Sequence, residues 1–180
     1  MQGQLILLKK KSKNLNKIFP IHILIGSDYI KLFIELLLHK MANTIDLSRF
    51  LIAQEEIYGQ VVFELKTGQK RSHWMWFIFP QIKGLGLSST AKYFALKDIE
   101  EARAYYNHPI LGGRLLECTK LLNNIENPDV DYIFGYPDNL KLKSSLTLFM
   151  EATSDPLFEE ALNHYFHGIK DEHTLQILNH

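Results

Sequence analysis

The stretch from Lys70 to Ser88, KRSHWMWFIFPQIKGLGLS, holds both tryptophans of the chain, a histidine, three cationic side chains, Pro80 and a Gly84-x-Gly86-x-Ser88 turn. Its ends are too polar and its middle too aromatic for an ordinary core segment or loop, which marks it as a site. His73, beside Lys70, Arg71 and Trp74, could act as a general acid or base, or donate a hydrogen bond to a ligand phosphate or ribose. A partly buried histidine bonded to a carbonyl is the plainer alternative. Trp74 and Trp76 can stack on a flat ring or serve as core, and core is expected for at least one of them. Gln81 would read an amide if it faced a pocket. The Gly84-x-Gly86-x-Ser88 turn, ahead of an expected helix and near Lys83 and Lys92, could turn backbone N–H groups toward an anion. A flexible connector with a serine cap is the commoner use of such a turn. No strand precedes it, which removes the dinucleotide-fold interpretation.

Further along, Arg114 follows Leu111-Gly112-Gly113 inside an expected helix, where each glycine costs roughly 1 kcal/mol relative to alanine. Close backbone approach by a helix or a ligand would rationalise the pair. Arg114 could then clamp a phosphate or carboxylate bidentately, or pair with an acidic helix end. Asp138, Lys141, Ser144 and Thr147 recur at three-residue spacing, so they line neighbouring turns of one helix as ligand contacts, packing groups or a solvated face. Asp171, late in the chain, joins His73 and Asp138 as a candidate for proton transfer or ribose contact. No metal is expected: His164, His167 and His173 lack the His-Glu-x-x-His spacing of a zinc hydrolase and read as surface residues. Gly-x-Ser-x-Gly, P-loop and cysteine-nucleophile motifs are absent, so acyl transfer and nucleotide hydrolysis by those routes lose support.

The elements that must carry these groups are helical. Leu47, Phe50, Leu51, Ile57, Tyr58, Val61, Val62 and Leu65 recur every three or four residues and predict one helix stopped by Gly68. Ser72 and Pro80 bracket one or two capped turns over the aromatic run. Ser88 is expected to cap a short helix, and Asp98 with Glu101 the next. Pro109 suits the first position of the helix carrying Leu111, Leu115, Cys118 and Leu122. A short helix closes at Gly135, Asp138 is expected to cap the segment through Met150, Asp155-Pro156 opens another helix, and Asp171 caps the last. The fold class is therefore all-α, a single domain over 41–180 of seven or eight mostly short helices.

A chain of 180 residues with 46% hydrophobic content can bury a substantial core. Residues 1–40 carry seven lysines against two acids, a charge of +5, which leaves 41–180 at −5. That balance opposes strong nucleic-acid binding by the main domain. Charged residues interrupt the apolar run of the first segment, so no membrane span and no membrane partner is expected. Met41 reads as the native start, and 1–40 as an upstream extension outside the native protein or a loosely attached arm. A lone cysteine, Cys118, rules out an intrachain disulfide and fits a cytoplasmic setting.

Together, Arg49–Gln54, Gly68–Ser89, His108–Leu115, Ile133–Phe149 and Asp171-x-x-Thr174 resemble a bacterial family of unknown function, the domain of unknown function numbered 1810. The likeness covers roughly residues 44–179. It implies an all-helical fold like that of a mycobacterial conserved hypothetical protein and brings no established activity. The label "calpastatin" sometimes attached to such proteins does not suit this chain, since calpastatin segments are disordered repeats. The order Ser88, Tyr93-Phe94, Leu146, Phe149, Asp171 is also similar to the helical NADAR family, associated with ADP-ribose chemistry. Ser89 stands where that family has a glutamate, which puts glycosidic hydrolysis in doubt. The expectation is a small domain that binds, and could hydrolyse, an ADP-ribose-like or other phosphorylated nucleoside. Trp74 or Trp76 would stack on the base, Lys70, Arg71 and Arg114 would meet phosphates, and no resident cofactor is expected. The competing class is a non-enzymatic interaction or structural module in which the aromatic run is core. The two separate on whether His73, Gln81, Arg114 and Asp138 converge.

Overall fold

The computed structural model describes Ile34, Ile45 to Glu126 and Pro128 to Asn179. The reading of residues 1–40 as an extension lies outside the described residues. Within 45–180, ten helices are described: α1 Ser48–Glu55, α2 Tyr58–Lys66, α3 Met75–Ile78, α4 Ser89–Phe94, α5 Ile99–Asn107, α6 Leu111–Asn123, α7 Val130–Phe134, α8 Asp138–Thr153, α9 Pro156–Phe166 and α10 Glu172–Leu178. The all-α expectation holds, and among the described residues the only β pairing is an isolated bridge between Ile82 and Leu96.

The helix count exceeds seven or eight because the segment from Leu47 to Leu65 is two helices, interrupted at Glu56 and Ile57. Apolar periodicity runs unbroken across the interruption because both residues stay in the right-handed helical region. Spacing alone cannot see such a break.

Helix α8 organises the domain, packing against α3, α5, α7, α9 and α10. Ser144 through Phe149 are six consecutive buried residues, so this helix is enclosed on every side, the pattern expected of a central helix. Phe149 links two aromatic neighbours, Tyr105 at 5.6 Å and Phe158 at 5.6 Å between ring centroids. Helix α6 lies against α2, α5 and α9, with Leu111, Leu115, Cys118 and Leu122 facing inward.

Capping explains most boundaries. Ser88, Asp98, Asp129, Asp155 and Asp171 each accept a backbone N–H of the helix that follows, which satisfies donors otherwise left open at a helix start. Two expected starts differ. Helix α6 begins at Leu111, not Pro109, and His108 Nδ1 accepts the N–H groups of Ile110 and Leu111 at 3.2 and 3.3 Å. Asp138 is the first residue of α8 and makes no cap, because its carboxylate is engaged by two lysines.

Candidate functional site

The aromatic run divides by residue. Trp74 is fully buried, and its indole Nε1 donates to Glu64 Oε2 at 2.7 Å. Glu64, buried on α2, also accepts from the Arg71 N–H at 2.9 Å, the Ser72 N–H at 3.1 Å, the Ser72 hydroxyl at 2.7 Å and Gln60 Nε2 at 3.0 Å. Burial pushes the Glu64 carboxyl up, but these bonds outweigh it and bring it down to about 2 from 4.5. A carboxylate bonded by several donors stays ionised without a cationic partner. Glu64 therefore fixes the loop before α3, and the Ser72 hydroxyl goes to it and caps nothing. Trp74 cannot stack on a ligand in this arrangement.

Trp76, two residues on, is only half-buried. Lys141 Nζ stands 4.3 Å from the centroid of its ring, within the range of a cation–π contact. The same ammonium donates to Asp138 Oδ1 at 2.7 Å, while Lys70 Nζ meets Asp138 Oδ2 at 2.5 Å. Lys70 also donates to the Ser72 carbonyl at 2.7 Å. Side-chain exposures are 7% for Lys70, 15% for Asp138 and 18% for Lys141, so both pairs are shielded from bulk water. Burial raises the Asp138 carboxyl, yet the hydrogen bonds and charges of Lys141 and Lys70 leave it below its usual range. Asp138 is an ionised acceptor, unsuited to donating a proton at neutral pH. A backbone bond from the Lys70 N–H to the Ile133 carbonyl at 2.8 Å brings the aromatic run against α7 and the start of α8.

His73 and Arg71 are exposed. Among the described residues the Arg71 guanidinium bonds Gln69 Oε1 alone, at 2.7 and 3.2 Å, and Asp138 is held by the lysines and not by His73. Arg114 belongs to a different cluster. Its Nη1 donates to Gln54 Oε1 at 3.2 Å and its guanidinium lies 4.5 Å from the Tyr58 ring centroid. Gln54 is fully buried and donates to the Phe77 carbonyl at 2.6 Å and the Tyr105 hydroxyl at 2.9 Å. The expected acidic partner of Arg114 is thus replaced by an amide and an aromatic face. Burial, and then Glu117, push the Tyr58 phenol up, keeping it a donor to Glu117 at 2.6 Å. Burial pushes the neighbouring Cys118 thiol up to about 12, which removes it as a nucleophile at neutral pH.

The glycine pair before Arg114 has two explanations. A side chain at Gly112 would place Cβ 1.8 Å from the Tyr106 carbonyl oxygen, whereas Gly113 faces open space. Helix α5 is the close neighbour that Gly112 permits.

The remaining expected positions lie elsewhere. Gly86 allows the chain to fold back on Ala91, where a Cβ would meet Ala91 Cβ at 2.4 Å, and Ser88 caps α4 by accepting from the Ala91 N–H at 3.1 Å. Gly84 has φ +112° beside Ile177, and the Gln81 carbonyl accepts from the Leu96 N–H at 2.9 Å. Ser144 and Thr147 bond back to the Leu140 and Lys143 carbonyls at 3.0 and 2.8 Å. Thr147 also accepts from the Asp171 N–H at 2.9 Å, and the Asp171 carboxylate accepts from both N–H and hydroxyl of Thr174. These residues tie α8 to α10. His164 Nε2 lies 3.0 Å from the Ile125 carbonyl, and among the described residues no group of three or more His, Cys, Asp or Glu side chains could hold a metal ion.

The structure therefore gathers Lys70, Trp76, Asp138 and Lys141, and separates them in bonding from Arg114, Gln81 and Asp171. Three surface clefts, of about 490, 280 and 390 Å³, are lined by residues outside this set. Glu64 and Gln54 are the organising groups that reading by type overlooks. The signal was there: Gln54 follows Phe50 by four and Glu64 follows Val61 by three, which puts polar side chains on the apolar stripe.

Set beside known proteins, residues 44–178 match the pattern of a family described as "Protein of unknown function (DUF1810)". A solved structure, that of the conserved hypothetical protein Rv1873 from Mycobacterium tuberculosis, is similar at 47% identity and a TM-score of 0.74, over 75% of this chain and 97% of that one. No curated protein matches.

Proposed function

The chain belongs to the family described as "Protein of unknown function (DUF1810)", and from the grouping of its side chains we propose that it binds a phosphorylated nucleoside ligand of the ADP-ribose kind on the face formed by Lys70, Trp76, Asp138 and Lys141. The observation that carries this reading is the meeting of two ammonium groups on the two oxygens of one carboxylate, beside a half-exposed indole. Each part has a chemical use. An indole stacks on a base, ammonium groups hold phosphate oxygens, and an ionised carboxylate accepts the hydroxyls of a ribose.

Binding is favoured over hydrolysis. Of the groups expected to move protons, Asp138 is ionised between lysines, Asp171 caps α10, and His73 is exposed and makes none of the Asp138 carboxylate's bonds. The competing reading, an interaction or structural module, draws support from Glu64 and Arg114, whose bonds hold loops and helices of this same domain.

Thermal denaturation with ADP-ribose, AMP and inorganic pyrophosphate distinguishes them. A ligand at 100 times its Kd adds about 2.7 kcal/mol to stability, which raises Tm measurably. The expected result is a rise with ADP-ribose that Trp76→Ala and Lys141→Ala abolish and Arg114→Ala leaves in place. No shift with any of the three compounds, or a shift that survives the first two substitutions, overturns the proposal.

A further inference from the structure

The surface segment from Lys83 to Ala95 packs Leu85 and Phe94 on the core and is joined at its two ends by backbone bonds. The Lys83 N–H donates to the Leu96 carbonyl at 2.8 Å and the Leu96 N–H to the Gln81 carbonyl at 2.9 Å. Short surface excursions closed at their ends in this way are often functional. No residue between Lys83 and Ala95 is fully buried, helix α4 included. Leu87 is 83% exposed and Tyr93 61%. From Gln81 to Lys97 there are three lysines, Lys83, Lys92 and Lys97, and no acid, in a chain that carries as many acidic as basic residues. The nearest following acid, Asp98, caps α5 and lies 3.7 Å from Lys97 in an exposed pair, too weak a contact to cancel that lysine.

The shape is fixed in advance. Phe94 anchors the returning limb against Phe77 and Phe50, with ring centroids at 5.3 and 5.8 Å. Gly86 packs on Ala91, and Gly84, at φ +112°, turns beside Ile177. The two glycines therefore shape a projection with Leu87 on it, flanked in sequence by lysines. None of the three clefts is lined by residues of this segment. Exposed leucine and tyrosine side chains flanked in sequence by exposed lysines suit an anionic surface, where lysines meet headgroups and leucine and tyrosine sit at the level of the acyl boundary.

We propose that the Lys83–Lys97 excursion docks the protein reversibly on membranes rich in anionic phospholipid, with Leu87 and Tyr93 inserted and Lys83, Lys92 and Lys97 on the headgroups. This is lying on a membrane, not spanning it; no described helix is long and apolar enough to cross one. The charge of −5 over 41–180 opposes tight adsorption and makes the attachment weak and salt-sensitive. None of these side chains takes part in the Lys70–Asp138–Lys141 group, so the two proposals fail independently.

The test is flotation of the full chain with vesicles rich in phosphatidylserine and with vesicles of phosphatidylcholine alone. The anionic vesicles are expected to retain the protein and the zwitterionic ones to release it. Each lysine near such a surface contributes roughly fivefold, so Lys83→Gln with Lys92→Gln lowers partitioning by about 25-fold, and Leu87→Ser lowers it several-fold. All three positions are exposed, and an unchanged Tm certifies the variants as folded. Equal behaviour on the two vesicle types overturns the proposal. So does anionic binding that survives both variants, which assigns it to the lysines of residues 1–40. Capture of a polyglutamate peptide without vesicle binding also overturns it, in favour of an acidic protein partner.

Discussion

Trp74 and Trp76 are two residues apart and live in different chemistry. Trp74 is sealed in the core with its only polar atom on Glu64, and that carboxylate has five donors from the aromatic run and α2. Trp76 is partly exposed, covered by the Lys141 ammonium, and the nearby carboxylate, Asp138, is held by two lysine side chains. Backbone and indole donors are fixed by the fold, whereas a lysine ammonium can exchange one oxygen partner for another. The first carboxylate is a structural joint. The second is a charged group whose partners a ligand can take over. Sharing a short motif does not give two residues a shared purpose.

The largest test of this contrast is Trp74→Ala, which removes a fully buried indole and opens a cavity; about 4 kcal/mol of stability should be lost, read as a drop in the denaturant midpoint. A loss below about 1 kcal/mol would show that Trp74 is not core. Next, Glu64→Gln replaces an acceptor-only group with one that presents an amide NH₂ to at least two of the five donors, at a cost of about 3 kcal/mol. In the parent, Glu64 also makes stability depend on pH. Its folded value of about 2 lies below the usual 4.5, so its contribution is complete above pH 4.5 and disappears as pH falls toward 2. The size, after discount for solvent screening, is on the order of 2 kcal/mol. Acid titration of Tm should show that slope in the parent and a flatter one in Glu64→Gln.

Asp138→Asn leaves two sheltered ammonium groups without their counter-charge, and about 2 kcal/mol is expected to be lost, less than at Glu64 because Lys70 keeps the Ser72 carbonyl as an acceptor and the amide keeps one acceptor oxygen. The parent's Asp138 contribution has the same sign: present above the ordinary carboxylate range and lost at lower pH, since its folded value is depressed. Trp76→Ala removes a partly exposed indole and a cation–π contact, so its cost is expected at about 2 kcal/mol, half that of Trp74→Ala, although this is the substitution expected to abolish the ADP-ribose response. If Trp76→Ala proves as damaging as Trp74→Ala, the distinction between the two indoles collapses.

Much of the local architecture was legible in the chain. The caps at Ser88, Asp98, Asp155 and Asp171 were readable because a capping side chain acts within three residues of itself. The break at Glu56–Ile57 was not, since the apolar spacing continues through it, and neither was the His108 ring at the start of α6. Among the site residues, Asp138 with Lys141 was visible as an i, i+3 pair on one helix. That Lys70 would join them, and that Arg114 would meet Gln54 and Tyr58 instead, depended on contacts across long stretches of chain.

Sequence by itself determined that this is a helical protein, where most helices begin, and which short run holds the unusual chemistry, because periodicity, capping and composition act over a few residues. Only the tertiary structure decided which tryptophan faces out, which carboxylate is a joint and which lysines share a partner. Those outcomes follow from burial and hydrogen bonding between segments far apart along the chain. Residue type constrains such pairings without selecting among them.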